Sequence, residues 1–186
     1  GGKSLCYQIP ALILDGISIV ISPLISLMKD QVDTIKAMGI EACFINSSLS
    51  TTEFNEIIRD IEKGKYKIVY IAPERLESYE FLNAITQNRI SQVAIDEAHC
   101  VSSWGHDFRS SYRRIKVFIE SLEVRPIVTA FTATATKEVK EDIIKYSNST
   151  YELYAGLMVR FEIQDTQVKL YTFETTYSNN SAILLY

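Results

Sequence analysis

Short runs of β-branched and other apolar residues alternate along this chain with longer stretches of helical period, and no other feature constrains the fold as much. Ile17-Ser18-Ile19-Val20-Ile21 reads as a strand buried on both faces, and so do Ala42–Ile45, Ile68–Ile71, Val93–Ile95 and Ile127–Phe131. Between them, Pro23–Met38 places Leu24, Leu27, Met28, Gln31, Val32, Ile35 and Met38 three and four residues apart, with Met28 and Met38 read as packing. Thr51 and Thr52 with Glu53 and Glu56 open a helix that runs to about Lys63 and stops at Gly64. Tyr79–Gln87, Ser111–Leu122 and Lys137–Tyr146 complete the helical set. Strands that alternate with helices imply βαβ crossovers, so the expectation is an α/β fold: a parallel β-sheet flanked by helices on both faces, over residues 1–150. Beyond Ser147-Asn148-Ser149-Thr150 the texture changes. Residues 151–186 read as a linker, the start of a second domain, or an edge hairpin around Val168–Phe173.

The 186 residues suffice for one domain with room for the edge of a second, and 47% of them are hydrophobic, enough for a core without staples. That composition excludes collagen-like and wholly disordered classes. With 19 Lys+Arg against 23 Asp+Glu the net charge is −4, so nucleic-acid contact requires a local basic patch. Cys6, Cys43 and Cys100 are odd in number and form no Cys-x-x-Cys, which argues against a disulfide framework or zinc ribbon and fits a reducing compartment. A zinc site from Cys6, His99, Cys100 and His106 matches no ligand spacing, and Cys6 and Cys43 read as small core hydrophobes. The longest apolar stretches are too short for a bilayer, so no membrane association is expected. The sequence opens at Gly1 without an initiator Met, and the expectation is that its N-terminal part is missing.

Gly1-Gly2-Lys3-Ser4 precedes the helical Leu5-Cys6-Tyr7-Gln8 and has the form of the end of a phosphate-binding loop. Glycines let successive backbone N–H groups turn toward one anion, and the helix N-terminus adds its positive end. In that setting Lys3 reaches the β- and γ-phosphates and the Ser4 hydroxyl ligates Mg²⁺. A chance Gly-Gly-Lys-Ser is the bland alternative, but a second motif weighs against it. Asp96-Glu97-Ala98-His99 follows the apolar strand Gln92–Ile95, at the edge where a parallel sheet presents ligands. Phosphoanhydride hydrolysis needs one carboxylate for the metal and a base to orient water, roles that suit Asp96 and Glu97. A solvated acidic turn would need no lysine loop upstream.

Five ordered motifs resemble the RecQ family of superfamily 2 helicases. Asp96-Glu97-Ala98-His99-Cys100 is similar to its nucleotide-hydrolysis motif and Gly1–Gln8 to its motif I. Ser22–Gln31 resembles motif Ia, Ala72-Pro73-Glu74-Arg75-Leu76 motif Ib, and Phe131–Thr136 motif III. Trp104-Gly105-His106-Asp107-Phe108-Arg109 resembles the family's aromatic-rich loop. The resemblance runs from Gly1 to about Tyr146 and implies the first RecA-like P-loop domain of an ATP-driven, 3′-to-5′ DNA helicase of recombination and repair. It implies ATP and Mg²⁺ as cofactors. Gly1, Gly2, Lys3 and Ser4 would hold phosphate, Ser4 and Asp96 the metal, and Glu97 would activate water. His99, Thr132 and Thr134 would couple nucleotide state to DNA, and Ser22, Lys29 and Arg75 would contact nucleic acid. The family's adenine-reading segment would lie upstream of Gly1, and its second RecA-like domain, bearing the arginine finger, after the linker that Gly156–Phe161 loosely resembles. The chain is therefore expected to be a fragment, sited in a bacterial cytoplasm with the nucleoid or in a eukaryotic nucleus.

The aromatic loop can also be read without the family. Trp104, His106, Phe108 and Arg109 stand within six residues around Gly105, and Arg113, Arg114 and Lys116 follow. Aromatics beside arginines make a stacking platform for single-stranded bases. A core cluster is the alternative, but a polar, glycine-containing loop buries aromatics poorly. Two other functions stay open: a module that binds nucleotide or single-stranded DNA without turnover, and a P-loop kinase, which would not need this loop.

Overall fold

The computed structural model describes residues 3–98 and 114–132, together with strands at 160–164, 167–171 and 181–185. Its centre is the run Ile17–Ile21 (β1), five consecutive buried residues. A strand with no polar face must be covered on both sides, and a parallel sheet between helix layers does that. β1 pairs in parallel with Ile68–Ile71 (β3) and Ile90–Ile95 (β4). Ala42–Ile45 (β2) pairs with β3, Ile127–Thr132 (β5) with β4, and Ser181–Leu185 (β8) with β5. The order is β2-β3-β1-β4-β5-β8, and Arg160–Gln164 (β6) and Gln167–Tyr171 (β7) form a separate antiparallel pair.

Alternation along the strands divides the core in two. Ile17, Ile19, Ile21, Val69, Ile71, Val93 and Val128 pack with Thr51–Glu62 (α3), Tyr79–Ile85 (α4) and the helical residues 114–121. Val20, Ile68, Tyr70, Ala94 and Phe131 face the other way, under Lys3–Ile13 (α1) and Ile25–Ala37 (α2). Each buried Ile or Val contributes about 1.5–3 kcal/mol over leaving it in water. The expected parallel sheet with helices on both faces is what the chain forms.

Several boundaries differ from expectation. α3 is capped one residue earlier, by Ser50: its Oγ accepts the Glu53 N–H at 3.3 Å while Glu53 Oε2 accepts the Ser50 N–H at 2.9 Å. The capping box is thus Ser-x-x-Glu, and Thr51 and Thr52 are already helical. α2 starts at Ile25, because Ser22 Oγ takes the Leu24 N–H at 3.4 Å and holds Leu24 outside the helix. Met38 does not pack: it lies past the last turn, 65% exposed, where Gly39 reverses the chain at φ +79°. Leu24 and Leu27 are also exposed, so the buried stripe of α2 is Met28, Val32 and Ile35. Cys43 is buried, and Cys6 is partly buried against the α1–α2 side of the core. The helix expected over Lys137–Tyr146 lies outside the described residues. No described helix is long and apolar enough to cross a membrane.

Candidate nucleotide site

The carboxyl ends of β1, β4 and β5 make the floor of the site. Asp96 follows β4 directly, and two backbone bonds fix its turn from both sides: Asp96 N–H to Ile21 O and Ala98 N–H to Phe131 O, each 2.8 Å. The Asp96 side chain is 6% exposed, and its Oδ1 accepts the Glu97 N–H at 3.0 Å. Glu97 takes φ +49°, in the left-handed region that non-glycine residues seldom adopt. From there its carboxylate meets α1: Lys3 Nζ lies 2.6 Å from Glu97 Oε1, across 94 residues of sequence. Both side chains are largely enclosed, 26% and 18% exposed, so the pair is screened less than a surface one.

Behind this pair lies an ordered set of hydroxyls. Tyr7 on α1 is 1% exposed, with ring centroids 5.3 Å from Phe131 and 6.4 Å from Tyr70, both edge-on. Ser4, one turn earlier on α1, and Tyr70 on β3 are the polar side chains nearest in effect to its hydroxyl. Gln8 Nε2 donates to Tyr70 Oη at 3.0 Å and to Gln31 Oε1 on α2 at 2.8 Å. Burial, chiefly, raises both phenols above their ordinary range, and the Asp96 charge pushes the same way. Both therefore stay neutral and keep their protons for hydrogen bonding. Composition and motif reading missed Tyr7, Gln8 and Tyr70. The signal was a tyrosine inside an otherwise aliphatic strand, and a glutamine at position 31 on an apolar stripe.

The other expected residues are dispersed. Ser22 is 2% exposed and its N–H donates to Ile71 O at 3.1 Å. Lys29 is exposed on α2. Arg75 closes the 3₁₀ turn Pro73–Arg75, with its guanidinium carbon 5.9 Å from the Phe54 ring centre. Arg114, from the expected basic patch, is ion-paired with Glu77. Thr132 ends β5, in register with Leu185. Gly1, Gly2, His99, Trp104, His106, Phe108, Arg109 and Thr134 lie outside the described residues.

Comparison with known proteins agrees with this arrangement. Residues 1–142 match the DEAD/DEAH box helicase family. The chain is 55% identical over 145 residues to the ATP-dependent DNA helicase RecQ of Bacillus subtilis, covering 78% of this chain and 24% of that protein. It is 44% identical over 177 residues to the RecQ of Haemophilus influenzae, covering 95% and 28%. The chain thus spans about a quarter of the length of the curated relatives it matches. Among solved structures, a hypothetical ATP-dependent RNA helicase from Sulfolobus tokodaii superposes with TM-score 0.60 at 23% identity, covering 81% of this chain and 44% of that one. The Hef helicase domain of Pyrococcus furiosus gives 0.58 at 16% identity, covering 81% and 32%. These likenesses show the fold, the RecA-like architecture expected from the sequence. With its lysine-serine helix start and acidic strand end converging at one sheet edge, this chain belongs to the DEAD/DEAH box helicase family.

Proposed function

We propose that this chain carries the first RecA-like, ATP-binding domain of a RecQ-type DNA helicase, over residues 1–150, with Ser181–Leu185 (β8) adding an edge strand to the same sheet. The observation that carries it is the 2.6 Å contact between Lys3 and Glu97, which joins the phosphate-loop lysine to the acidic strand end. The identities to RecQ proteins support the same reading. In it, Gly1, Gly2 and Lys3 receive the phosphates of ATP, and Glu97 orients the attacking water. Ser4 and Asp96 suit a hard divalent cation: both offer oxygen, Ser4 from the first turn of α1 and Asp96 from the end of β4. Mg²⁺ held there would offset the charge that builds between the β- and γ-phosphates. His99, Thr132 and Thr134 couple nucleotide state to DNA; Ser22, Lys29, Arg75, Trp104, His106, Phe108 and Arg109 contact the strand. The protein works where DNA is, in a bacterial cytoplasm or a eukaryotic nucleus.

The test is ATP hydrolysis, with and without single-stranded DNA, by this chain completed with a second RecA-like domain that carries the arginine finger; residues 1–186 alone should hydrolyse slowly or undetectably. Stimulation by DNA is the expected result. Nucleotide and DNA binding with no stimulated turnover would favour a non-hydrolysing binding module instead.

A further inference from the structure

A lysine that serves phosphate has one positive charge to give. Lys3 opens α1, and its Nζ lies 2.6 Å from Glu97 Oε1. With the two side chains 26% and 18% exposed, solvent and salt screen the contact less than a surface pair. The positive end of a helix favours an anion beside it, and the first turn of α1 contains no acidic residue of its own. Glu97 supplies that anion from the turn that follows β4. The turn is pinned by Asp96 N–H to Ile21 O and Ala98 N–H to Phe131 O, each 2.8 Å. Opening the pair therefore takes side-chain rotation and leaves the backbone in place.

We infer that Glu97 is a built-in competitor for the nucleotide: its carboxylate holds the place on Lys3 that a phosphate takes, and ATP must displace it. Uptake of phosphate by Lys3 and release of the carboxylate from the ammonium are then one event. The base is turned toward water only once a phosphate has arrived. The inference rests on the proposed assignment of Lys3 to phosphate and of Glu97 to water. An ion pair of this kind shifts an equilibrium by about two- to five-fold, small enough for a triphosphate to overcome and large enough to read.

The experiment is equilibrium binding of a fluorescent, non-hydrolysable ATP analogue to the 186-residue chain. Glu97→Gln keeps the size and removes the charge, and it is expected to bind the analogue about two- to five-fold more tightly than the parent. Glu97→Asn, whose side chain tolerates a left-handed backbone, should shift affinity the same way, and it decides the matter should Glu97→Gln not fold. Plain repulsion between carboxylate and phosphate would also yield to neutralisation, and Lys3→Ala separates the two causes. Without Lys3 there is no pair to break, so the gain from Glu97→Gln should shrink. Repulsion, no longer offset by the ammonium, would keep the gain equal or enlarge it. Affinity unchanged or lowered in Glu97→Gln, or a gain undiminished in the Lys3→Ala background, overturns the inference and leaves the phosphate assignment standing. An affinity that Lys3→Ala alone leaves unchanged would overturn that assignment, and the inference with it.

Discussion

Glu97 holds two features that belong together: a backbone at φ +49° and a carboxylate 2.6 Å from Lys3. A non-glycine residue in that region costs of order 1–3 kcal/mol unless its surroundings hold it. Here the bonds from Asp96 N–H and Ala98 N–H to the flanking strands do so, and the turn they fix sends the side chain toward α1. Glu97→Gln keeps the shape and the contact to Lys3 but removes the base. Hydrolysis stimulated by DNA should fall about 10²–10⁴-fold, with nucleotide affinity within a few-fold of the parent. Lys3→Ala, in contrast, should weaken binding itself. The check is a paired measurement of turnover and nucleotide dissociation constant on each variant; normal turnover in Glu97→Gln would remove the base from Glu97. Residue identities at this pair were legible in the sequence because lysine and acidic residues at such positions have few other uses. The left-handed backbone was not, since nothing in Asp96-Glu97-Ala98 favours it locally; neighbouring strands impose it.

At the level of elements, the strands were legible because both-face burial leaves an unbroken apolar run, as in Ile17–Ile21 and Ile68–Ile71. Ends were less so. β4 begins at Ile90, ahead of the expected Val93, because Ser91 and Gln92 interrupt the apolar signal, although Ile90 pairs with Ile17 and Gln92 with Ser18, the register shifting across Ser91. Gln92 is 1% exposed and reaches Ser18 Oγ at 3.5 Å and Thr129 Oγ1 at 3.4 Å, a polar row that only the assembled sheet makes affordable. The turn from α1 into β1 depends on a single glycine. Gly16 sits at φ +112°, and a Cβ there would lie 2.4 Å from the Arg89 carbonyl oxygen, whose acceptor role toward Ile17 N–H at 2.8 Å pins β1 beside β4. Backbone cannot yield as a side-chain tip can. Gly16→Ala should therefore destabilise the fold by about 2 kcal/mol or more, combining a forbidden φ with a displaced ladder bond. Chemical denaturation would read this directly, and a change below half a kilocalorie would show that the turn relaxes freely.

At the scale of the molecule, the net charge of −4 and the proposed nucleic-acid role pull in opposite directions. Arg114 is ion-paired with Glu77, which leaves the basic run that follows the aromatic loop in sequence with one charge fewer to offer. Few phosphates can then be neutralised, and a small counterion release gives weak binding with a shallow salt slope. Specific contact must come from stacking, worth about 1–3 kcal/mol per base, and the chain has a built-in reporter of it. Trp104 is its only tryptophan. Adding single-stranded DNA to the 186-residue chain should change the Trp104 emission, and the change should fade as salt rises. Arg109→Ala should weaken the response by removing one phosphate or stacking partner. A tryptophan in the core would behave otherwise: Trp104→Ala would cost about 3–5 kcal/mol of stability, and DNA would leave the emission unmoved. Titrating DNA against emission, beside the melting temperature of Trp104→Ala, separates the two. An unmoved emission with a large loss of stability would place the indole in the core and transfer strand recognition to Lys29 on the exposed face of α2 and the Arg75 turn.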